Sequence, residues 1–203
     1  MGTPATDAET LALVARVQAG ELGAFNTLVV RHQDAAFSLA YRFMGSRQAA
    51  EDATQEAFLR AFRNIRSFKG QRFRSWLLSI VANACRDELR KRRRRPQRSL
   101  DAARSDWGRP DLDPRDEGPG PEEAVLNADL REALERALLQ LPEEWRLVVV
   151  LADVHGLAYD EVAQVAGIPL GTVKSRIARA RGRLRDILTA TGELPPALER
   201  RRG

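Results

Sequence analysis

Two stretches of the 203-residue chain gather groups that bind a polyanion. In the first, Asn83, Arg86, Asp87 and Arg90 recur at helical spacing, so one helix face carries an amide, two cations and a carboxylate. Such a set can hydrogen-bond base edges as well as phosphates. Just upstream, Phe68, Lys69, Gly70, Gln71 and Arg72 join an aromatic ring, a glycine and cations, which is what a pocket for an unstacked base needs. The plainer alternative is that Phe68 and Phe73 plug a core, and that the run Arg90, Lys91 and Arg92 onward is a solvated, nonspecific phosphate-binding tract. In the second stretch, Lys174, Arg176, Arg179, Arg181, Arg183 and Arg185 follow one another with no acid between 172 and 185. A merely solvated helix usually mixes signs.

The elements that position these groups are helices. Phe73, Trp76, Leu77, Ile80, Val81 and Ala84 make a buried stripe behind the Asn83 face. Near the other end, 159–166 reads as a short helix stopped by Gly167 in an αL turn, with Pro169 opening the next. Val173, Ile177, Ala180 and Leu184 then form an apolar stripe, while Arg176, Arg179 and Arg183 lie on a different face. Ala163, Gly167 and Val173 have helix-turn-helix spacing, which makes the second helix the one that enters a major groove.

A further helix over about 49–65 buries Ala53, Ala57, Phe58, Ala61, Phe62 and Ile65, with Ser46 as its cap. Its other face shows Glu51, Asp52, Gln55 and Glu56. By residue type alone those acids serve equally well as a docking face or as compensation of the helix dipole.

Between the helical stretches, 96–121 holds five of the ten prolines, several glycines and many aspartates, with almost no aliphatic residues. That composition cannot bury enough surface to fold. The expectation is an all-α chain of two helical domains, 8–95 and 124–189, joined by a flexible acidic linker, 96–123, and ending in a disordered tail, 190–203. A net charge of +5 and a pI near 10.1 agree with a polyanionic partner.

The single cysteine, Cys85, excludes an intramolecular disulfide framework and reads as a small core residue. With only His32 and His155 besides it, no metal cluster is legible, and neither metal nor cofactor is expected. The two histidines read as surface or packing residues. No signal peptide opens the chain, and the longest apolar run, 147–152, is far too short for a bilayer, so a cytoplasmic protein is expected. Enzymatic signatures such as a Gly-rich phosphate loop or a nucleophile elbow are missing.

Two groups of segments carry a resemblance. Ala50-Glu51-Asp52-Ala53-Thr54-Gln55-Glu56-Ala57-Phe58, then Phe73-Arg74-Ser75-Trp76-Leu77-Leu78 through Asn83, then Asp87-Glu88-Leu89-Arg90, resemble region two of extracytoplasmic-function sigma factors. Leu141-Pro142-Glu143-Glu144 and Gly171-Thr172-Val173-Lys174-Ser175-Arg176 through Arg181 resemble their region four. The resemblance implies a transcription initiation factor that binds core RNA polymerase. Glu51, Asp52, Gln55 and Glu56 would dock on the clamp helices of its largest subunit, and region four on the flap of its second subunit. Phe68, Lys69, Gly70, Gln71, Arg72, Asn83, Arg86, Asp87, Arg90 and Lys91 would take the minus-ten promoter DNA as a melted strand. Thr172, Lys174, Ser175, Arg176, Arg179 and Arg183 would read the minus-thirty-five element as duplex. An anti-sigma factor is also an implied partner. An ordinary helix-turn-helix regulator would explain 163–185 but would leave the Asn83 face and the aromatic loop without a purpose.

Overall fold

The computed structural model describes residues 4–70, 72–94 and 121–192, with side chains over 7–70, 72–94 and 129–192. The first half contains α1 (Pro4–Gln18), α2 (Leu22–Met44), α3 (Arg47–Asn64) and α4 (Phe73–Arg94), with a 3-10 turn at Ile65–Ser67. The second contains α5 (Pro121–Leu139), α6 (Glu143–Val149), a π turn at Val150–Val154, α7 (Tyr159–Ala166) and α8 (Leu170–Ala190). Among the described residues there is no strand, and no helix is long and apolar enough to cross a membrane.

Local chemistry sets the helix ends. Gly45 closes α2 at φ 70°, an αL position open to glycine at no steric cost, and Ser46 caps α3 by accepting from the Ala49 N–H at 3.4 Å. Ala50, Ala53, Ala57 and Ala61 form the buried stripe of α3. Their small side chains let α3 lie close to Leu39 and Phe43 of α2 and to Leu78 and Val81 of α4. Phe62, expected in that stripe, is instead 41% exposed and meets the Phe25 ring in a T-shaped contact, with centroids 4.9 Å apart. The alanines already satisfy the close packing, so the large ring is turned out. Cys85 is fully buried, as a core residue should be, and burial pushes its thiol up to about 12.

In the second half Val162, Val173, Ile177 and Ala180 surround the helix-turn-helix crossing. The π turn was not legible in the apolar run. It widens the coil so that the His155 N–H reaches the Val150 carbonyl and the Leu157 N–H reaches that of Leu151, each at 3.0 Å. Helix α5 begins at Pro121, inside the stretch expected to be linker, with proline at a position where its missing N–H costs nothing. Helix α1 likewise starts ahead of the expected residue 8, and α8 runs one residue past 189. Most of the expected linker and tail lies outside the described residues.

The halves share one apolar core, in which Phe43 and Leu78 belong to the same cluster as Val148 and Leu151. At the seam a Cβ on Gly45 would come within 2.7 Å of a Leu139 methyl, so α5 is seated directly on that glycine. Beside it the buried Arg146 guanidinium donates to the carbonyls of Phe43 at 2.6 Å, Leu139 at 2.7 Å and Leu141 at 2.9 Å. These carbonyls come from the last turns of α2 and α5 and the residue region after α5, where intrahelical donors run out. A cation there also meets the negative ends of both helix dipoles. Replacing Arg146 by Met keeps much of the volume but strands these acceptors. The variant is expected to lose about 2–4 kcal/mol in urea unfolding followed by circular dichroism. An unchanged midpoint would mean that the guanidinium contributes nothing to joining the halves.

Candidate nucleic-acid interface

Helix α4 presents two different faces. Its apolar face carries Phe73, Leu77, Leu78, Val81 and Cys85 into the core. On the other, Asn83 is exposed and its side-chain oxygen accepts from Arg86 at 3.1 Å, while Arg90 pairs with Asp87 at 3.4 Å. The four residues read as one face therefore do lie together. Arg60 of α3 holds Asp87 from the side at 2.8 Å and holds Glu56 at the same distance. Those hydrogen bonds raise the Arg60 pKa, that to Asp87 most, and the Arg60 hydrogen bond lowers that of Glu56. Glu56 thus belongs to the network behind Asp87 as much as to the acidic face of α3. Lys91 reaches Glu88 at 3.8 Å.

The loop before α4 is built around Phe68. This ring is buried, with centroids 5.8 Å from Phe73 and 5.1 Å from Trp76, so it plugs the core as the plainer alternative held. The Gln18 amide donates to the carbonyls of Ile65 at 2.8 Å and Phe68 at 2.9 Å, which pins the loop to α1. Lys69, Gly70 and Arg72 remain exposed, and Gln71 lies outside the described residues. With Phe68, Ser75, Trp76 and Ser79 they line a cavity of about 600 Å³ whose far wall is Asp160, Gln164 and Val165 of α7. An aromatic floor with cations at the rim suits a flat, negatively charged guest.

A shallow apolar groove of about 330 Å³ lies between α2 and α3, lined by Val29, Phe37 and Phe58 with Asp34, Glu51 and Gln55 among its polar members. Asp52 is exposed on the same helix but is not part of the lining. The structure thus brings Glu51 and Gln55 to one groove and sets Glu56 apart.

On α8, Lys174, Ser175, Arg179 and Arg183 are exposed, and Thr172 is half-buried. The Ser175 hydroxyl donates to the Thr172 carbonyl at 3.0 Å. Arg176 is less available, being half-buried and paired with Glu144. Arg181 makes a two-pronged bond to Asp153, at 3.0 and 2.6 Å, which ties α8 to the π turn and raises its pKa.

Comparison with known proteins bears on what this surface serves. The Sigma-70 region 2 family matches residues 28–95, and the Sigma-70 region 4 family matches 131–184. The ECF RNA polymerase sigma-E factor of Escherichia coli is 39% identical over 83% of this chain and 88% of its own length. The RNA polymerase sigma-H factor of Pseudomonas aeruginosa is 37% identical over the same shares. The chain belongs to the ECF RNA polymerase sigma factors. It directs transcription initiation. The ECF sigma factor SigE of Mycolicibacterium smegmatis is 40% identical over 81% of this chain, which spans only 61% of that longer relative. Among solved structures, CnrH in complex with the cytosolic domain of CnrY is similar with a TM-score of 0.62 and 28% identity, covering 88% of this chain and 96% of that one. The sigma factor RpoE of Bartonella quintana, in complex with the anti-sigma factor NepR, gives 0.63 and 26% over 81% of this chain and 96% of its own.

In this sigma factor the seam beside the cavity uses Arg74 and Ser75, to which the sequence assigned no role, and Arg86, which it placed on the DNA face. Arg74 donates to the His155 carbonyl at 2.7 Å, Ser75 donates to Glu161 at 2.6 Å, and Arg86 donates to the Ala166 carbonyl at 3.2 Å. Only the helical register of Arg74 and Ser75 hinted at them, and nothing in the sequence named their partners. His155 is buried, and burial, with Arg74 and Arg42 nearby, lowers its pKa to about 3. His32, buried against Phe73, is lowered to about 4, chiefly by burial. Both histidines are therefore packing residues, not surface ones.

Each histidine is neutral when folded and binds a proton once unfolded near its ordinary value of about 6.5. The stability this contributes is complete above that pH and is lost as pH falls from there toward the folded values. Between pH 7.5 and 5.5 the loss amounts to about 1.4 kcal/mol per histidine. Urea titrations at the two pH values should show about half the wild-type loss in His155→Leu. An equal loss in both proteins would mean that His155 is already charged in the fold.

Proposed function

We propose that the polar face of α4 and the loop before it take the minus-ten element of a promoter as a melted strand, while α8 reads the minus-thirty-five element as duplex. The observation that carries this reading is the adjacency of two unlike parts. Asn83, Arg86, Asp87 and Arg90 offer donors and acceptors along one helix, and the cavity between the preceding loop, the first turns of that helix and α7 begins about two turns upstream, at Trp76. A base must leave its stack to enter such a cavity, at a cost of a few kcal/mol that contacts there must offset. Lys174, Ser175, Arg179 and Arg183 lie along the N-terminal and middle turns of α8, the part of a recognition helix that meets base edges, and Arg176 joins them on leaving Glu144.

The groove between α2 and α3, with Glu51 and Gln55 on it and Asp52 close by, is the surface we assign to the clamp helices of core RNA polymerase. Region four would sit on the flap of the second subunit. An anti-sigma factor is a further proposed partner, supported by the complex of the similar sigma factor RpoE with the anti-sigma factor NepR. A cytoplasmic setting follows from work on chromosomal promoters.

Asn83 tests the strand-reading assignment because it is exposed and outside the core stripe. Holoenzyme carrying Asn83→Ala should assemble and locate the promoter but open it poorly. A template with a pre-melted minus-ten bubble should restore much of the transcript yield, since unstacking is then already done. Permanganate reactivity of unpaired thymines on duplex and bubble templates reads the outcome. Normal melting, with a defect only in polymerase binding, would remove Asn83 from DNA recognition.

A further inference from the structure

The acid on the polar face of α4 is held from behind. Asp87 is the one carboxylate among Asn83, Arg86, Asp87 and Arg90, and on a surface for a polyanion it opposes the phosphates beside it. Arg60 of α3 donates from a terminal nitrogen to Asp87 Oδ2 at 2.8 Å and from Nε to Glu56 at 2.8 Å. Both ends of its planar fork are therefore occupied. Arg60 lies between the buried Ala57 and Ala61, and Ala57 shares a core cluster with Leu78, Val81 and Cys85. Its position beside α4 is thus set by the packing of the two helices. Asp87 Oδ1 has a weaker partner, Arg90, which is 3.4 Å away and 65% exposed. The Asn83 oxygen accepts from Arg86 at 3.1 Å, and Glu88 is engaged with Lys91 and Arg92.

We infer that Arg60 is a positioning residue for base selection: by holding Asp87 Oδ2 it leaves Oδ1 as a single acceptor, which selects a strand base carrying an exocyclic amino group, cytosine or adenine, against thymine and guanine. The inference rests on the assignment of this face to the minus-ten strand. A lone carboxylate oxygen accepts from cytosine N4 or adenine N6, but meets another acceptor at thymine O4 or guanine O6. Guanine has a second way to bind an acid, because its N1–H and N2–H lie side by side and suit the two oxygens of a free carboxylate. Arg60 removes that option by occupying one of them. Its charge also offsets that of Asp87, so the acid can face DNA without repelling the backbone. Arg90, being exposed, can turn to a phosphate and clear Oδ1.

The test reads base preference, a ratio within one protein that a smaller yield of folded chain or a weaker affinity for polymerase leaves unmoved. Holoenzyme made from the full chain and core polymerase transcribes duplex templates randomised upstream of a transcribed barcode. Sequencing the barcodes gives the base frequencies at each minus-ten position. Wild type is compared with Asp87→Ala, Arg60→Met, Arg60→Gln and Arg60→Lys. Arg60 is 32% exposed, and Met and Gln are both good helix formers, so either variant carries the test if the other fails to fold.

At one position the wild type should prefer cytosine or adenine about tenfold over the keto bases, and Asp87→Ala should cut this to below about twofold there alone. Arg60→Met and Arg60→Gln should show the same local loss, with guanine gaining most. Arg60→Lys, which still donates to Oδ2, should keep the preference. A preference removed by Asp87→Ala but kept by the Met and Gln variants would overturn the role of Arg60 and leave Asp87 as a strand contact. A wild-type preference for a keto base at the Asp87-dependent position would overturn the amino-group selection. So would a loss spread evenly over every minus-ten position in the Arg60 variants, which is what general distortion of α4 produces. If no position responds to Asp87→Ala, the inference falls together with the place of Asp87 in the reading beneath it.

Discussion

The arrangement of the whole molecule depends on one buried cation. Arg146 cannot shed its proton in a protein, and burial without a facing carboxylate would be prohibitive unless several acceptors surrounded it. The acceptors it finds are backbone carbonyls, and they come from both halves of the chain. Meeting that single requirement fixes the end of α2 against the end of α5. Gly45 eases the approach, because a Cβ there would have to displace the methyl groups of Leu139. Once those ends are joined, the remaining contacts have little freedom. Arg42 falls beside Glu135 at 3.6 Å, Arg93 beside Glu143 at 2.6 Å, and α7 comes down along α4.

The charges of the chain divide into two kinds by what they face. Arg60, Arg74, Arg86 and Arg181 are spent on orienting other groups, and all four reach across to another element, Arg181 in an exposed pair and the other three in partly buried ones. Exposed pairs of this sort add at most about 1 kcal/mol each to stability. Their larger effect is geometric, since a bonded Asp87 or a pinned α8 presents its neighbours in one register. The exposed cations of α8 and the arginines ending α4 make up the second kind, and they carry the electrostatic attraction for a polyanion.

Local structure was legible in the sequence wherever a short-range rule decided it. The bounds of α7, the αL turn at Gly167 and the stripe Val173, Ile177, Ala180 follow from periodicity and turn chemistry alone. The shared face of Asn83, Arg86, Asp87 and Arg90 follows from helical spacing, and Ser46 caps α3 as its type suggests. What spacing could not supply was the identity of distant partners. Ser75 and Glu161 are separated by 86 residues, and Arg146 and the Phe43 carbonyl by 103. Pairings at that range depend on how whole helices dock. The same limit explains Phe62, whose position on a helical stripe said nothing of the alanines that would fill the interface without it. It also explains Glu56, which spacing grouped with Asp52 and which Arg60 draws toward α4.

The 26 residues 95–120, between the end of α4 and the start of α5, have a consequence of their own. Stretched out, a segment of that length spans at most about 90 Å, which is the most that can ever lie between the two residues it joins. Over most of that range each half still experiences the other at an effective concentration of order millimolar. The seam that Arg146 seals is thereby indifferent to how dilute the chain is, since each half brings its own partner along with it.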